Sequence, residues 1–111
     1  MSVVDTNKVD GIGISKDGQR LVLLITDHLD WSREYEHLIQ LQNKLNSNIA
    51  FLESQQYKEI YPNQTFSAFC IEIHFMHELP DNCIKFINVV NQQLADQNIS
   101  INIVVDKPKN P

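Results

Sequence analysis

Apolar positions recur along this chain at two spacings, and the changes of spacing mark out its elements. "VDGIGIS" (9–15) alternates, and "KDG" (16–18) supplies a turn, because Gly18 adopts positive φ at no steric cost. "QRLVLLIT" (19–26) then returns as a second strand. Its apolar residues are consecutive from 21 to 25, so both of its faces are expected to be at least partly covered. Gly11 and Gly13 share one face of the first strand and leave room there. No helix follows this G-x-G, so it is not a phosphate loop.

From 32 to 54 the spacing turns helical. Tyr35, Leu38, Leu41, Leu45, Ile49 and Leu52 step by three or four and form one stripe, which puts Gln40, Asn43, Lys44, Ser47 and Asn48 on the other side. At ~1.5 Å per residue this helix runs roughly 35 Å, against about 23 Å for a seven-residue strand, so it is expected to overhang the sheet it covers. "QQYKEIYPNQT" (55–65) reads as a loop. "FCIEIHF" (69–75) alternates, with Phe69, Ile71, Ile73 and Phe75 on one side and Cys70, Glu72 and His74 on the other. "ELPDN" opens a second helix with the stripe Cys83, Ile87, Val90 and Leu94. "ISINIVV" (99–105) is a last strand, and "DKPKNP" (106–111) a frayed polar tail.

The pattern predicts a single α+β domain over 1–111, in the order ββαβαβ. Right-handed crossovers place both helices on one face of a four-stranded mixed sheet. The simplest strand order is 1-2-3-4, with insertion of the last strand between the second and third as the rival.

Composition adds exclusions more than assignments. The 111 residues are 42% hydrophobic and 21% charged, with 14 acids against 9 bases and a net charge of −5. Lys and Arg are scattered singly, with no basic stripe to neutralise phosphates, which speaks against nucleic-acid binding. The longest apolar run, "LVLLI", is too short for a bilayer, and "MSVVDTNKVDG" does not read as a signal peptide. The expectation is a cytoplasmic protein without membrane association, whose Cys70 and Cys83 are free thiols.

Candidate chemistry concentrates in "TDHLDWSREYEHL" (26–38). Asp27, His28, Asp30 and Trp31 fall where the second strand ends and the long helix begins, a place where ligands gather around free backbone N–H groups. The competing reading is structural: Asp30 or Ser32 caps the helix, Glu34 and Glu36 suit its first turn, and Trp31 staples back onto Tyr35 or Leu38. The second candidate is the open sheet face carrying Cys70, Glu72 and His74. Cys70 and His74 lie about 13 Å apart along a strand and cannot form a nucleophile–base pair. "HFMHE" (74–78) is not HExxH, and no metal-ligand spacing or cofactor motif appears.

The run "DHLDW", followed by "HLIQLQNKLNSNIAFLES" and then "YP", resembles a bacterial family of small uncharacterised proteins, a domain of unknown function. The resemblance spans 9–105 and implies one cytoplasmic domain of bacterial origin, with no activity attached. The leading functional expectation is a non-enzymatic protein-interaction module that self-associates, with a second subunit completing the overhang around Phe51, Leu52 and Tyr57. The alternatives are a small-molecule-binding or enzymatic domain built on Asp27, His28 and Asp30, and an immunity-type protein that blocks a basic toxin.

Overall fold

The computed structural model describes residues 9–106. The element order is β1 (Gly11–Ile14), β2 (Arg20–Asp27), α1 (Glu34–Glu53), a 3₁₀ turn at Gln56–Glu59, β3 (Ala68–Phe75), α2 (Asp81–Leu94), a second 3₁₀ turn at Ala95–Gln97, and β4 (Ile99–Val105). The fold is the expected α+β, ββαβαβ arrangement, with a four-stranded mixed sheet in the order 1-2-3-4. β1 and β2 form the antiparallel hairpin, and β2, β3 and β4 run parallel. Gly18 has φ +73° in the hairpin turn. Of the tail expected at 106–111, all but Asp106 lies outside the described residues, as do residues 1–8 of the expected domain.

Strand alternation decides what each face buries. Leu21, Leu23 and Ile25 of β2, Ile71, Ile73 and Phe75 of β3, and Ile99 and Ile101 of β4 join Leu41, Leu45 and Leu52 of α1 and Cys83 and Ile87 of α2 in one core. Both helices therefore cover the same side of the sheet. The opposite side presents Val22, Leu24, Cys70, Glu72, His74 and Val104, all half-buried, and no described element covers it.

Two expectations are corrected. Lys44 and Asn48 do not face outward: both are 0% exposed, and the buried stripe of α1 is His37, Leu41, Lys44, Leu45, Asn48 and Leu52. Tyr35, assigned to the stripe, is 76% exposed. At the far end of α1 the chain supplies cover of its own, with Leu52 4% and Tyr57 7% exposed. The chain turns back at Gln55 (φ 63°), and Tyr57, Tyr61, Phe66 and Phe69 close over that end as a cluster of edge-to-face and tilted aromatic pairs, with ring centroids 5.4–6.4 Å apart.

One edge of the sheet is blunted. The Asn91 side chain of α2 donates to the Ile101 carbonyl at 3.2 Å and accepts from the Ile101 N–H at 2.7 Å, occupying the middle of the outer edge of β4 as a paired strand would.

Candidate functional site

The strand-to-helix junction is built from two short side-chain turns in succession. Asp27 Oδ1 accepts the Leu29 N–H at 3.1 Å, and Asp30 Oδ1 accepts the Ser32 N–H at 3.1 Å and the Ser32 hydroxyl at 2.6 Å. Aspartates bond their own backbone two residues on with little strain, so each bends the chain once. This differs from the expected capping: the N-cap position is Arg33, with no side-chain cap bond, and α1 begins at Glu34. The Ser32 hydroxyl and N–H hold the Asp30 carboxyl below the ordinary carboxylate range.

The bends bring together residues the sequence separates. His37, one turn into α1, lies 2.6 Å through Nε2 from Asp27 Oδ2, and its Nδ1–H donates to the Asp30 carbonyl at 3.0 Å. A carbonyl can only accept, so Nδ1 is the donor there, which leaves Nε2 facing the Asp27 carboxylate. Both side chains are out of solvent, 2% and 0% exposed. Trp31 lies flat on the imidazole, with centroids 3.6 Å apart and planes 17° apart. Its Nε1 is buried without a hydrogen-bond partner among the described residues.

Of the candidates at this junction, the structure therefore joins Asp27, Asp30 and Trp31, but around His37. His28 is exposed and takes no part in the pair. Both nitrogens of His37 are engaged and one face is covered, so neither is turned toward solvent as a base would be. The arrangement locks the end of β2 to the first turns of α1. Asn82 at the start of α2 extends the tie, donating to Glu34 at 2.9 Å.

A second buried pair lies further along the same helix. Lys44 Nζ donates to Asp10 Oδ1 at 2.8 Å, with the side chains 0% and 5% exposed. Asn48, one turn on, donates to the Lys44 carbonyl at 2.8 Å. The pair fixes α1 to the residue leading into β1. Asp10 and Lys44 were not singled out in the sequence, although Lys44 sits three residues from Leu41 and four from Asn48, inside the stripe.

On the outer sheet face His74 sits between two carboxylates, with Nε2 3.4 Å from Glu72 and Nδ1 3.4 Å from Asp106. Burial raises the Cys70 pKa, with the Glu72 charge adding to it and a Ser100 hydrogen bond opposing. Beside them Gly11 and Gly13, aligned with Leu24 and Val22, leave an open trough of about 390 Å³. A Cβ on Gly13 would meet nothing within 4 Å, so the trough opens over Gly13, whereas a Cβ on Gly11 would press on the Leu24 Cβ at 3.2 Å. Among the described residues, no group of three or more His, Cys, Asp or Glu is placed to hold a metal ion, and no helix is long and apolar enough to cross a membrane.

A family model described as "Family of unknown function (DUF6572)" matches residues 1–107. No curated protein and no solved structure matches the chain.

Proposed function

The chain belongs to DUF6572, a family of unknown function, and with no activity to inherit from it we propose, from the site itself, a non-enzymatic protein-interaction module that self-associates. The observation that carries this reading is where charge and apolar surface are placed. Asp27 with His37 and Asp10 with Lys44 are paired inside, where they tie α1 to the sheet. Apolar side chains meanwhile stand at the surface: Val22 and Leu24 line the open trough, and Ile39 and Val89 project from the helices. A chemistry-bearing site presents its titratable groups to a cleft. Here the buried titratable groups face one another, and beside Glu72, His74 and Asp106 on the outer sheet face the surface at the trough and on the helices is apolar.

Sedimentation velocity of the full chain over micromolar concentrations tests the reading. A concentration-dependent species heavier than the 12.8 kDa of one chain is expected. A single 12.8 kDa species at every concentration would overturn self-association.

A further inference from the structure

We propose that the helix layer is where two copies of this chain meet, α1 and α2 of one packing against α1 and α2 of the other about a two-fold axis. The inference rests on the self-association reading and adds its location.

The argument begins with charge. The chain carries 23 Asp, Glu, Lys and Arg residues (14 acidic, 9 basic), yet residues 37–52 of α1 and 86–94 of α2 contain just one, Lys44. Lys44 is turned into the core against Asp10, so the described outer surface of both segments is free of those four residue types. Its exposed polar positions are amides: Gln42, Asn43, Asn46, Asn88, Gln92 and Gln93. An ordinary solvated helix face is laced with charge, since Lys and Glu hydrate well and cost little helix propensity. A face that meets its own copy is under the opposite demand. In a two-fold contact each side chain approaches an identical surface, and in a chain of net charge −5 a charged face would repel itself. Amides donate and accept alike, so they are self-complementary. Glu36 and Lys85 stand just outside the uncharged segments, where an interface rim is charged.

Shape agrees with charge. Between the helices runs a groove of about 260 Å³ lined by Gln42, Leu45, Ile49, Phe86, Val89 and Gln93. Val89, 51% exposed, stands in its wall, and Ile39, three residues before Gln42 on α1 and so on a neighbouring position of the same helix side, is 39% exposed. One surface thus carries both an apolar recess and the apolar projections to fill it, the requirement for a contact that closes on itself. The partner is a second copy because the face offers no charge by which an acidic or basic protein would be recognised. Extension of the sheet past β4 is obstructed, since Asn91 already holds both backbone groups of Ile101, and the β1 edge offers only four residues.

Light scattering on four forms of the full chain tests the proposal, with circular dichroism confirming that each is folded. Wild type is expected at twice the 12.8 kDa chain mass. The double variant Gln42→Glu/Val89→Glu, and separately Gln42→Lys/Val89→Lys, should each run as a monomer, because like charges then face each other. Mixing the two should restore the dimer, which loss by misfolding would not do. Leu24→Glu, on the outer face of the sheet, should remain dimeric. A monomeric wild type overturns the self-association reading and this inference together. A dimer that survives both helix variants but is lost in Leu24→Glu overturns this inference alone and moves the contact to the sheet.

Discussion

Removing Asp27 is the sharpest test of how the junction is held. Its carboxylate is fully buried, lies 2.6 Å from His37 and accepts the Leu29 N–H. Asp27→Ala would leave the His37 nitrogen facing an empty site and free the Leu29 N–H at the same time. Breaking a buried pair by deleting one partner costs about 3–5 kcal/mol. For a domain near this size each kcal/mol lowers the melting temperature by roughly 4–8 °C, so a fall on the order of 15 °C or more is expected. Asp27→Asn keeps the shape and one hydrogen bond while giving up the charge, and should cost about 1 kcal/mol, the gap between charge-assisted and neutral bonds. Asp27→Leu/His37→Phe replaces both partners by apolar groups and should be less damaging than Asp27→Ala. His28→Ala should change little, because His28 is exposed. Asp30→Ala should cost less than Asp27→Ala, because its two bonds to Ser32 lie in solvent. The melts are read twice, by far-UV circular dichroism for the whole fold and by fluorescence of Trp31, the sole tryptophan, for the junction. If Asp27→Ala stays within about 0.5 kcal/mol of wild type, as an ordinary surface change would, the pair is not holding the junction.

Three further outcomes follow from the buried and hydrogen-bonded groups. Cys70 and Cys83 are free thiols, and burial, with the Asp27 and Glu34 charges, pushes Cys83 up to about 12. Alkylation of native protein near pH 8 should therefore be slow at Cys83, while denatured, non-reduced protein titrates two thiols; fast native labelling of Cys83 would contradict its burial. Lys44→Met strands the Asp10 carboxylate and should cost about 3–5 kcal/mol, much of it recovered when Asp10→Leu is added; an unchanged denaturation midpoint would refute the pair. Hydrogen bonds hold Asp17 and Asp30 below the ordinary carboxylate value, so their stabilisation is complete above that value and lost as pH falls through their lowered folded values. Thermal melts should fall below about pH 4 and fall less steeply in Asp30→Ala; equal slopes would contradict this.

The elements were legible because their apolar spacing is regular. Alternation in "FCIEIHF" and the consecutive run "LVLLI" correspond to the inner strands β3 and β2, and the second apolar face of "LVLLI" is Val22 and Leu24, half-buried beside the trough. Failure came where polar residues occupy buried positions. Lys44 and Asn48 were assigned outward by residue type, while their spacing from Leu41, Leu45 and Leu52 places them in the stripe. Spacing was the better guide there. His37 is not among the residues singled out from the sequence, because its partner Asp27 is brought to it by turns at Asp27 and Asp30. A contact across such bends leaves no periodic trace. The aromatic cover at the far end of α1 was missed for the same reason: Tyr57, Tyr61 and Phe66 reach it through an irregular segment.

The strand order carries a consequence for how the chain assembles. In a sheet ordered 1-2-3-4 every strand docks beside the one made just before it, so the sheet can grow by accretion in the direction of synthesis, without reopening a pair already formed. The β1–β2 hairpin is local and quick to close. The next step is not: Gln19 and Ser67, bonded at the start of the β2–β3 ladder, are 48 residues apart, with α1 between them. That loop closure sets an entropic barrier early, so the rate of folding is expected to depend on α1 forming first and shortening the distance β3 must search. If the Asp27–His37 and Asp10–Lys44 locks fasten α1 to the hairpin ahead of β3, substitutions there should slow folding more than they speed unfolding.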